Sequence, residues 1–397
     1  MEYLEKSVAI TGIGQSEIGR PSSKSAMRLT AEACLEAIAD AGLSPKDIDG
    51  VTAWPGDNSN GDSFSPVGSL AVKTALGLDV NWFGGGYEGP GPLTGVINAA
   101  LAIGSGLARN VLVFRTITES SARRVQRTTN ALTNKSGAGP RDSNFMWQWC
   151  TPFNVLSVIN IVAMYAQSHF LKYGTTPEQL AQIALNGRRN AQLNPKAVFR
   201  TPLTLDDYFA SRMISTPLRI LDCDVHCDAS TAVVLSRLDA AKDLKNPPIR
   251  IEALGTAMRQ PYLWDQVELT EMATADVGSS MWARTDLKPK DVDTAQLYDG
   301  FSILTLMWLE GLGLCPRGEG GRFIEGGHRI GLHGELPLNT NGGQLSGGRT
   351  HGLGYVHEAC VQLWGRGGER QIGGDPRVAV AAAGGGPLGG SVLLAKD

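Results

Sequence analysis

Apolar and polar positions along this chain follow two rhythms, one of strands and one of helices. Ser7–Gly12 is a short apolar run ending in glycine and reads as a buried strand. From about Ser25 to Ala41 the positions Leu29, Ala33, Ala37 and Ile38 fall on one helical face, so an amphipathic helix is predicted. A turn, Leu43–Asp49, leads to a short strand at Gly50–Trp54. Val80–Phe83 and Ala108–Phe114 are further strands, with a small-residue helix, Leu93–Ile103, between them. Late in the chain Val356, Ala359, Cys360 and Leu363 recur at i, i+3, i+4, i+7, predicting a helix over Tyr355–Trp364. Arg377–Ala382 and Ser391–Ala395 are strands joined by a glycine-rich turn. Mostly apolar strands alternating with helices predict an α/β sheet covered on both faces.

The pattern then repeats. Leu43, Pro45, Lys46, Asp47, Asp49 and Gly56 all recur 244 positions on, Leu43 becoming Leu287 and Gly56 becoming Gly300. One register matching this many residues indicates an internal duplication of a helix, a Pro-Lys-Asp turn and a strand. Two stacked copies give five layers, αβαβα. The first half is read at residues 1–115 and 214–245, and the second at 246–397. Residues 116–213 have no counterpart in the second half and form an inserted loop or lid subdomain. Within it Thr176-Pro177-Glu178-Gln179 is a helix start with cap, proline and capping-box glutamine. Arg123, Arg124, Arg127, Arg188 and Arg189 either meet phosphates of a ligand or are solvated charges on a helical cap.

Bulk properties exclude several classes. A net charge of −3 over 397 residues offers no basic field for nucleic acid. Six scattered cysteines form no disulfide framework and suggest reduced, cytoplasmic thiols. Met1–Lys6 is not a signal peptide. The most apolar helical run, Phe153–Ala166, is too short to span a bilayer. Gly12-Ile13-Gly14 has Glu17 where a dinucleotide fingerprint needs glycine, so no NAD site is expected there. Cys223-Asp224-Val225-His226-Cys227 lacks the spaced second pair of a metal site and is read as structural; no metal is expected.

The chemistry concentrates in Leu338–Tyr355, which carries six glycines from Gly342 to Gly354 and runs into the helix just described. Its glycines let the backbone turn and approach a ligand, and the helix start favours developing negative charge. Asn341, Gly342, Gly343 and Arg349 are the candidate substrate-loop residues, with His351, Tyr355 and His357 beside them. The alternative is a surface turn that only caps the helix.

These motifs, taken in order, resemble the thiolase superfamily. Ser215–Cys223 with Asp228–Ala232, Tyr298-Asp299-Gly300-Phe301, Asn339-Thr340-Asn341-Gly342-Gly343 and Gly384-Gly385-Gly386 are similar to its recurring segments. The resemblance implies the thiolase fold. Yet Gly89 stands where the family's nucleophilic cysteine would lie, and Ala382 and Ala383 where its second cysteine would fall. Thiolase chemistry needs a thiolate to carry the acyl group, so ordinary thiolysis is not expected. The Asn-Thr-x-Gly-Gly and His-Gly pattern is similar to the lipid-transfer-protein branch, which includes the steroid side-chain aldolases. That resemblance implies retro-aldol cleavage of a β-hydroxyacyl-CoA steroid to a ketone and a short acyl-CoA such as propanoyl-CoA. It also implies no bound cofactor, a coenzyme A thioester as substrate, and a homodimer core. A partner carrying a DUF35-type OB-fold domain, or of hydratase type, is implied with it.

On this reading Gly89, Gly384, Gly385 and Gly386 hold the thioester oxygen as it becomes an enolate, and glycine at 89 leaves room for a bulky tertiary alcohol. Tyr298, Tyr355 and His351 are the candidates for proton transfer, His351 as a relay that titrates in the right range unaided. Asp299 is read as a loop tie that accepts backbone N–H groups. Two other readings stay open: an acyltransferase using Cys360 or Cys150, and a non-catalytic acyl-CoA or lipid-binding subunit.

Overall fold

The computed structural model describes residues 3–56, 63–86, 89–124, 151–155, 157–259 and 268–396. Arg127 and Cys150 lie outside the described residues. The first half runs β1 (Val8–Gln15), α1 (Ala26–Asp40), β2 (Gly50–Ala53), α2 (Ser69–Leu76), β3 (Trp82–Gly84), α3 (Thr94–Gly104) and β4 (Asn110–Thr118). The inserted segment contributes α4 (Val158–Tyr173), α5 (Pro177–Gln192) and a small ribbon, β5 (Met213–Ser215) with β6 (Leu218–Arg219). Then come β7 (Asp228–Arg237), β8 (Ile249–Met258), α6 (Thr274–Trp282), β9 (Thr294–Leu297), α7 (Ser302–Gly311), α8 (Gly352–Leu363), β10 (Val378–Gly385) and β11 (Leu388–Lys396).

Strand order among the described residues is β3-β2-β4-β7-β1-β8-β11-β10-β9. The duplication is visible in it: β1, β2, β4 and β7 of one half mirror β8, β9, β10 and β11 of the other. The halves join where β1 meets β8, through Ala9↔Arg250 and Ile10↔Ile249. The repeated passage folds identically. Pro45–Asp47 and Pro289–Asp291 are both 3-10 turns, and each precedes a strand in parallel pairing, β2 with β4 and β9 with β10. The repeated aspartates explain why. Asp49 accepts the N–H groups of Arg109 and Asn110 at 2.9 and 2.8 Å, and Asp293 those of Arg377 and Val378 at 2.7 and 2.9 Å. Each carboxylate thus fixes the start of the neighbouring strand.

Five layers follow from three cores. One joins α1 and α2 to the first-half sheet. A second places α3 and α8 between strands of both halves. A third packs α4, α5, α6 and α7 on the second-half sheet. Leu29 and Ile38 on the α1 face are fully buried, each stabilising the layer by about 2 kcal/mol. Gly12 and Gly14 serve this contact, since a Cβ on either would collide with the α1 backbone at Ala37 and Ala33. No helix among the described residues is long and apolar enough to cross a membrane.

The inserted helix α5 has the expected start: Gln179 N–H donates to Thr176 Oγ1 at 3.2 Å, and Thr176 N–H to Gln179 Oε1 at 3.1 Å. Its polar face props the glycine-rich loop. Asn186 and Asn190 donate to the Leu338 carbonyl at 3.0 and 2.9 Å, and Arg188 Nε donates to Ser346 Oγ at 2.9 Å. Arg188 is therefore a buried prop and is not exposed to a ligand.

Candidate active site

Three glycine turns converge in the middle of the molecule. Gly91 and Pro92 lead into α3, Gly384–Gly386 close the β10–β11 hairpin, and Gly352 opens α8. A Cβ at Gly352 would press on Pro92 and Ala383, and one at Gly91 would lie 3.6 Å from the Gly384 Cα. Gly91 and Gly384 both sit at positive φ, 72° and 100°, which keeps the two turns in backbone contact at little steric cost. Beside them opens a cavity with about 680 Å³ of empty space, its open mouth included. Its floor is Gly91, Pro92, Gly384, Gly385 and Gly386. Tyr298 and Trp54 stand at its side, and apolar residues of α4 and α7 form the remaining wall.

Tyr298 is half-buried on this cavity, just past the end of β9, with its N–H donated to the Ala382 carbonyl at 3.0 Å. Burial, reinforced by nearby Asp224 and Asp299 and opposed by Arg349, pushes its phenol up to about 12. It stays protonated at neutral pH.

Tyr355 lies one layer back, its ring centroid 6.3 Å from that of Tyr298, and is not on the cavity wall. Its hydroxyl donates to Asp299 Oδ1 at 2.5 Å and accepts from Asp299 N–H at 3.0 Å and Gln344 Nε2 at 2.8 Å. Burial and the Asp299 carboxylate raise its pKa well above the ordinary value. The hydroxyl is saturated by protein, so the structure makes Tyr355 a support for the site and gives it no direct contact with substrate. Asp299 also accepts the N–H of Gln344 at 2.8 Å, as its reading as a loop tie requires. Burial raises Asp299 to about 6.

His351 differs from expectation. Its ring is buried behind Trp54, with centroids 6.4 Å apart. Arg115 Nη2 lies 2.8 Å from Nδ1, and Arg349 Nε lies 2.8 Å from Nε2. Burial and the two guanidiniums depress its pKa well below the ordinary histidine value. A neutral imidazole has one acceptor nitrogen, so it takes a hydrogen bond from one arginine only. The unaided titration expected of His351 is corrected: the ring is held neutral.

Arg349 anchors a buried polar cluster. Its guanidinium reaches Asp224 at 3.0 Å and Glu119 at 3.3 Å, with His226 Nε2 at 3.2 Å. Burial, eased only in part by Arg349, raises Asp224 to about 6. Burial and the nearby arginines lower His226 to about 3. The Cys-Asp-Val-His-Cys run thus turns Asp224 and His226 towards Arg349. Among the described residues no cluster of metal-ligating side chains occurs.

The rest of the glycine-rich loop is placed away from the cavity. A Cβ on Gly342 would strike Ala191 of α5, and one on Gly343 would strike the Asp299 carboxylate. Asn341 Oδ1 caps Gly343 N–H at 2.9 Å, its carbonyl accepts from Asn194, and the residue faces a separate polar pocket. Two thioester-holding assignments also change. The space beyond the Gly89 Cα is filled by the Thr94 side chain, 2.6 Å from an ideal Cβ, so it offers no room for an alcohol; Gly91 and Pro92 border the cavity instead. Gly386 lines the cavity, but its N–H donates to Met272 Sδ at 3.0 Å and is not available to an oxyanion. Trp54, Gln344, Asp224 and Arg115 escaped the sequence reading. Gln344 and Asp224 lie in stretches that were singled out for other residues or read as structural, whereas nothing in the segments that hold Trp54 and Arg115 marks either one.

Residues 255–394 match the family described as thiolase C-terminal domain-like. With the duplicated five-layer scaffold, this defines the class: a thiolase-fold protein with no cysteine among the described residues that line its cavity. A 17-hydroxy-3-oxo-4-pregnene-20-carboxyl-CoA lyase of Mycobacterium tuberculosis is 35% identical over 400 residues, 98% of this chain and 100% of its own length. A steroid side-chain-cleaving aldolase of Thermomonospora curvata is 35% identical over 404 residues, 99% of each chain. The solved structure of an Ltp2-ChsH2(DUF35) aldolase superposes with a TM-score of 0.86 at 32% identity, covering 99% of both chains. The chain belongs to the thiolase superfamily, in the lipid-transfer-protein branch with the steroid side-chain-cleaving aldolases.

Proposed function

We propose that this protein is a cytoplasmic carbon–carbon lyase that cleaves the side chain of a β-hydroxyacyl-CoA steroid by a retro-aldol reaction. Its products are a steroid ketone and a short acyl-CoA such as propanoyl-CoA. One observation carries the reading: a protonated tyrosine is presented to an apolar cavity floored by two glycine turns, with no thiol among the described residues of its wall. Cys360, the described candidate for an acyltransferase thiol, is fully buried and its pKa is raised by burial, which speaks against thiolate chemistry.

The reaction needs no net base. The β-hydroxyl loses its proton as its C–O bond becomes a carbonyl. The Cα–Cβ bond breaks, and its electron pair passes into the thioester as an enolate. A proton added at Cα completes the acyl-CoA. The net change moves one proton from oxygen to carbon, so a neutral phenol can accept the first proton while surrendering its own. Tyr298 takes that role. The floor of Gly384 and Gly385 brings backbone close to the thioester oxygen, while Gly91 shapes the floor with its own N–H given to the Gly89 carbonyl at 2.7 Å. Tyr355, Asp299 and Gln344 fix the loop behind it, while Arg349 and Asp224 set the local charge. No resident cofactor is required; coenzyme A arrives as part of the substrate.

One similar solved structure is that of an Ltp2-ChsH2(DUF35) aldolase, and we assign a partner of the DUF35 type to this protein. The edge position of β3, with Phe83 74% exposed, supports a homodimer core through the first-half sheet. The test is to purify the protein with its partner and supply a steroid β-hydroxyacyl-CoA. Ketone and short acyl-CoA should appear in equal amounts. Binding of the thioester without either product would overturn the reading in favour of a non-catalytic subunit.

A further inference from the structure

The aldolase reading leaves open how the bulky half of the substrate is recognised, and the following rests on that reading. We infer that one face of α4 in the inserted segment measures the fused-ring system, with Ile161 and Val162 as specificity-determining residues. Val158, Ile161, Val162 and Tyr165 all line the cavity, and their spacing of i, i+3, i+4, i+7 places them in one stripe along the helix. The stripe runs from outside to inside: Val158 is 41% exposed, whereas Ile161, Val162 and Tyr165 are 2–4% exposed. At 1.5 Å per residue it spans about 10 Å, the length of four fused rings laid end-on from the mouth to the floor. Phe301 and Leu304 of the α7 segment complete its apolar lining. A flat, rigid, apolar body suits this lining, and its last ring then meets Tyr298 and the glycine floor. A pantetheine arm, rich in amides, would leave its polar groups unpaired against this surface.

The experiment uses the complex with its partner and two substrates. One is a steroid β-hydroxyacyl-CoA; the other carries its tertiary alcohol on a single cyclopentane ring. Ile161→Trp should lower kcat/KM at least 50-fold on the steroid and less than 3-fold on the single-ring thioester. Val162→Ala, which widens the cleft, should change the steroid-to-single-ring ratio by 3-fold or more while the single-ring rate is held. Equal losses on both substrates, or none on the steroid, would overturn the inference. Binding of a 3-oxo-4-ene 17-ketosteroid, followed by tryptophan fluorescence, reads the same wall without turnover. Ile161→Trp should weaken it at least 10-fold against wild type. Unchanged steroid binding refutes the α4 wall; steroid binding that weakens as expected in a protein that cleaves neither thioester refutes the aldolase reading alone.

Discussion

The two tyrosines stand 6.3 Å apart by ring centroid, yet their hydroxyls have different tasks, and removing each oxygen separates them. In Tyr298→Phe the lost hydroxyl faces a cavity, so stability should change by less than about 1 kcal/mol. The proton shuttle is gone, and general acid–base catalysis of this kind contributes about 10²–10⁴-fold; kcat/KM for ketone release should fall by that factor. In Tyr355→Phe the lost oxygen takes the acceptor from two buried donors, Asp299 N–H and Gln344 Nε2, and one of two donors from Asp299 Oδ1, which keeps the Gln344 N–H. Each unsatisfied buried group costs about 1–3 kcal/mol, and partial rearrangement brings the expected loss to about 3 kcal/mol. Denaturant unfolding followed by fluorescence, paired with steady-state ketone release, reads both. A Tyr298→Phe protein that cleaves within threefold of wild type would refute the shuttle. A Tyr355→Phe protein that unfolds at the wild-type denaturant concentration would refute the supporting role.

Two further substitutions probe the scaffold. Gly300→Ala places a Cβ 2.6 Å from the Tyr298 ring; the ring must shift, and kcat should fall about 10-fold or more with stability loss of about 1–2 kcal/mol. A variant with unchanged kcat would show that the ring position is not set by this contact. His357→Asn tests a neutral imidazole held away from the cavity. Burial first, then Lys196 and Arg370, depress His357 to about 3, below its unfolded value near 6.5. Its neutral form therefore favours the fold fully above about pH 6.5, and that contribution is lost as pH falls towards 3, because the unfolded chain takes up the proton first. Replacing it should flatten the loss of unfolding free energy between pH 6 and 4 by up to one proton, about 1.4 kcal/mol per pH unit. An unaltered slope would mean that His357 titrates normally in the fold.

What the chain disclosed by itself was local chemistry. The Pro-Lys-Asp turn and Asp49 or Asp293 act within a few residues of where they stand, so the duplication and its strands were readable, and so was the Thr176–Gln179 helix start. Gly384–Gly386 and Tyr298 were found because motif and turn coincide. The rest depends on long-range assembly. The buried cluster draws Arg115 and Glu119 from the end of β4, Asp224 from the Cys-Asp-Val-His-Cys run and Arg349 from the glycine-rich loop, and no one of these stretches announces that the three meet. His351 is kept neutral first by its burial and then by the two arginines brought from β4 and the loop, and neither can be read from its neighbours in sequence. The apolar spacing of α4 predicted a helix, but periodicity gives a face without saying what that face meets. Gly89 misled because a count along a motif places a residue without saying what surrounds it: the Thr94 side chain fills the space beyond its Cα.

The central claim is carbon–carbon cleavage with a shuttled proton and no covalent thiol. Turnover in D₂O, with mass analysis of both the short acyl-CoA and the intact protein during the reaction, tests it most directly. One deuterium at Cα of the acyl-CoA, an equal amount of ketone and an unchanged protein mass are expected. An acyl adduct on the chain, or an acyl-CoA formed without solvent deuterium, would contradict it.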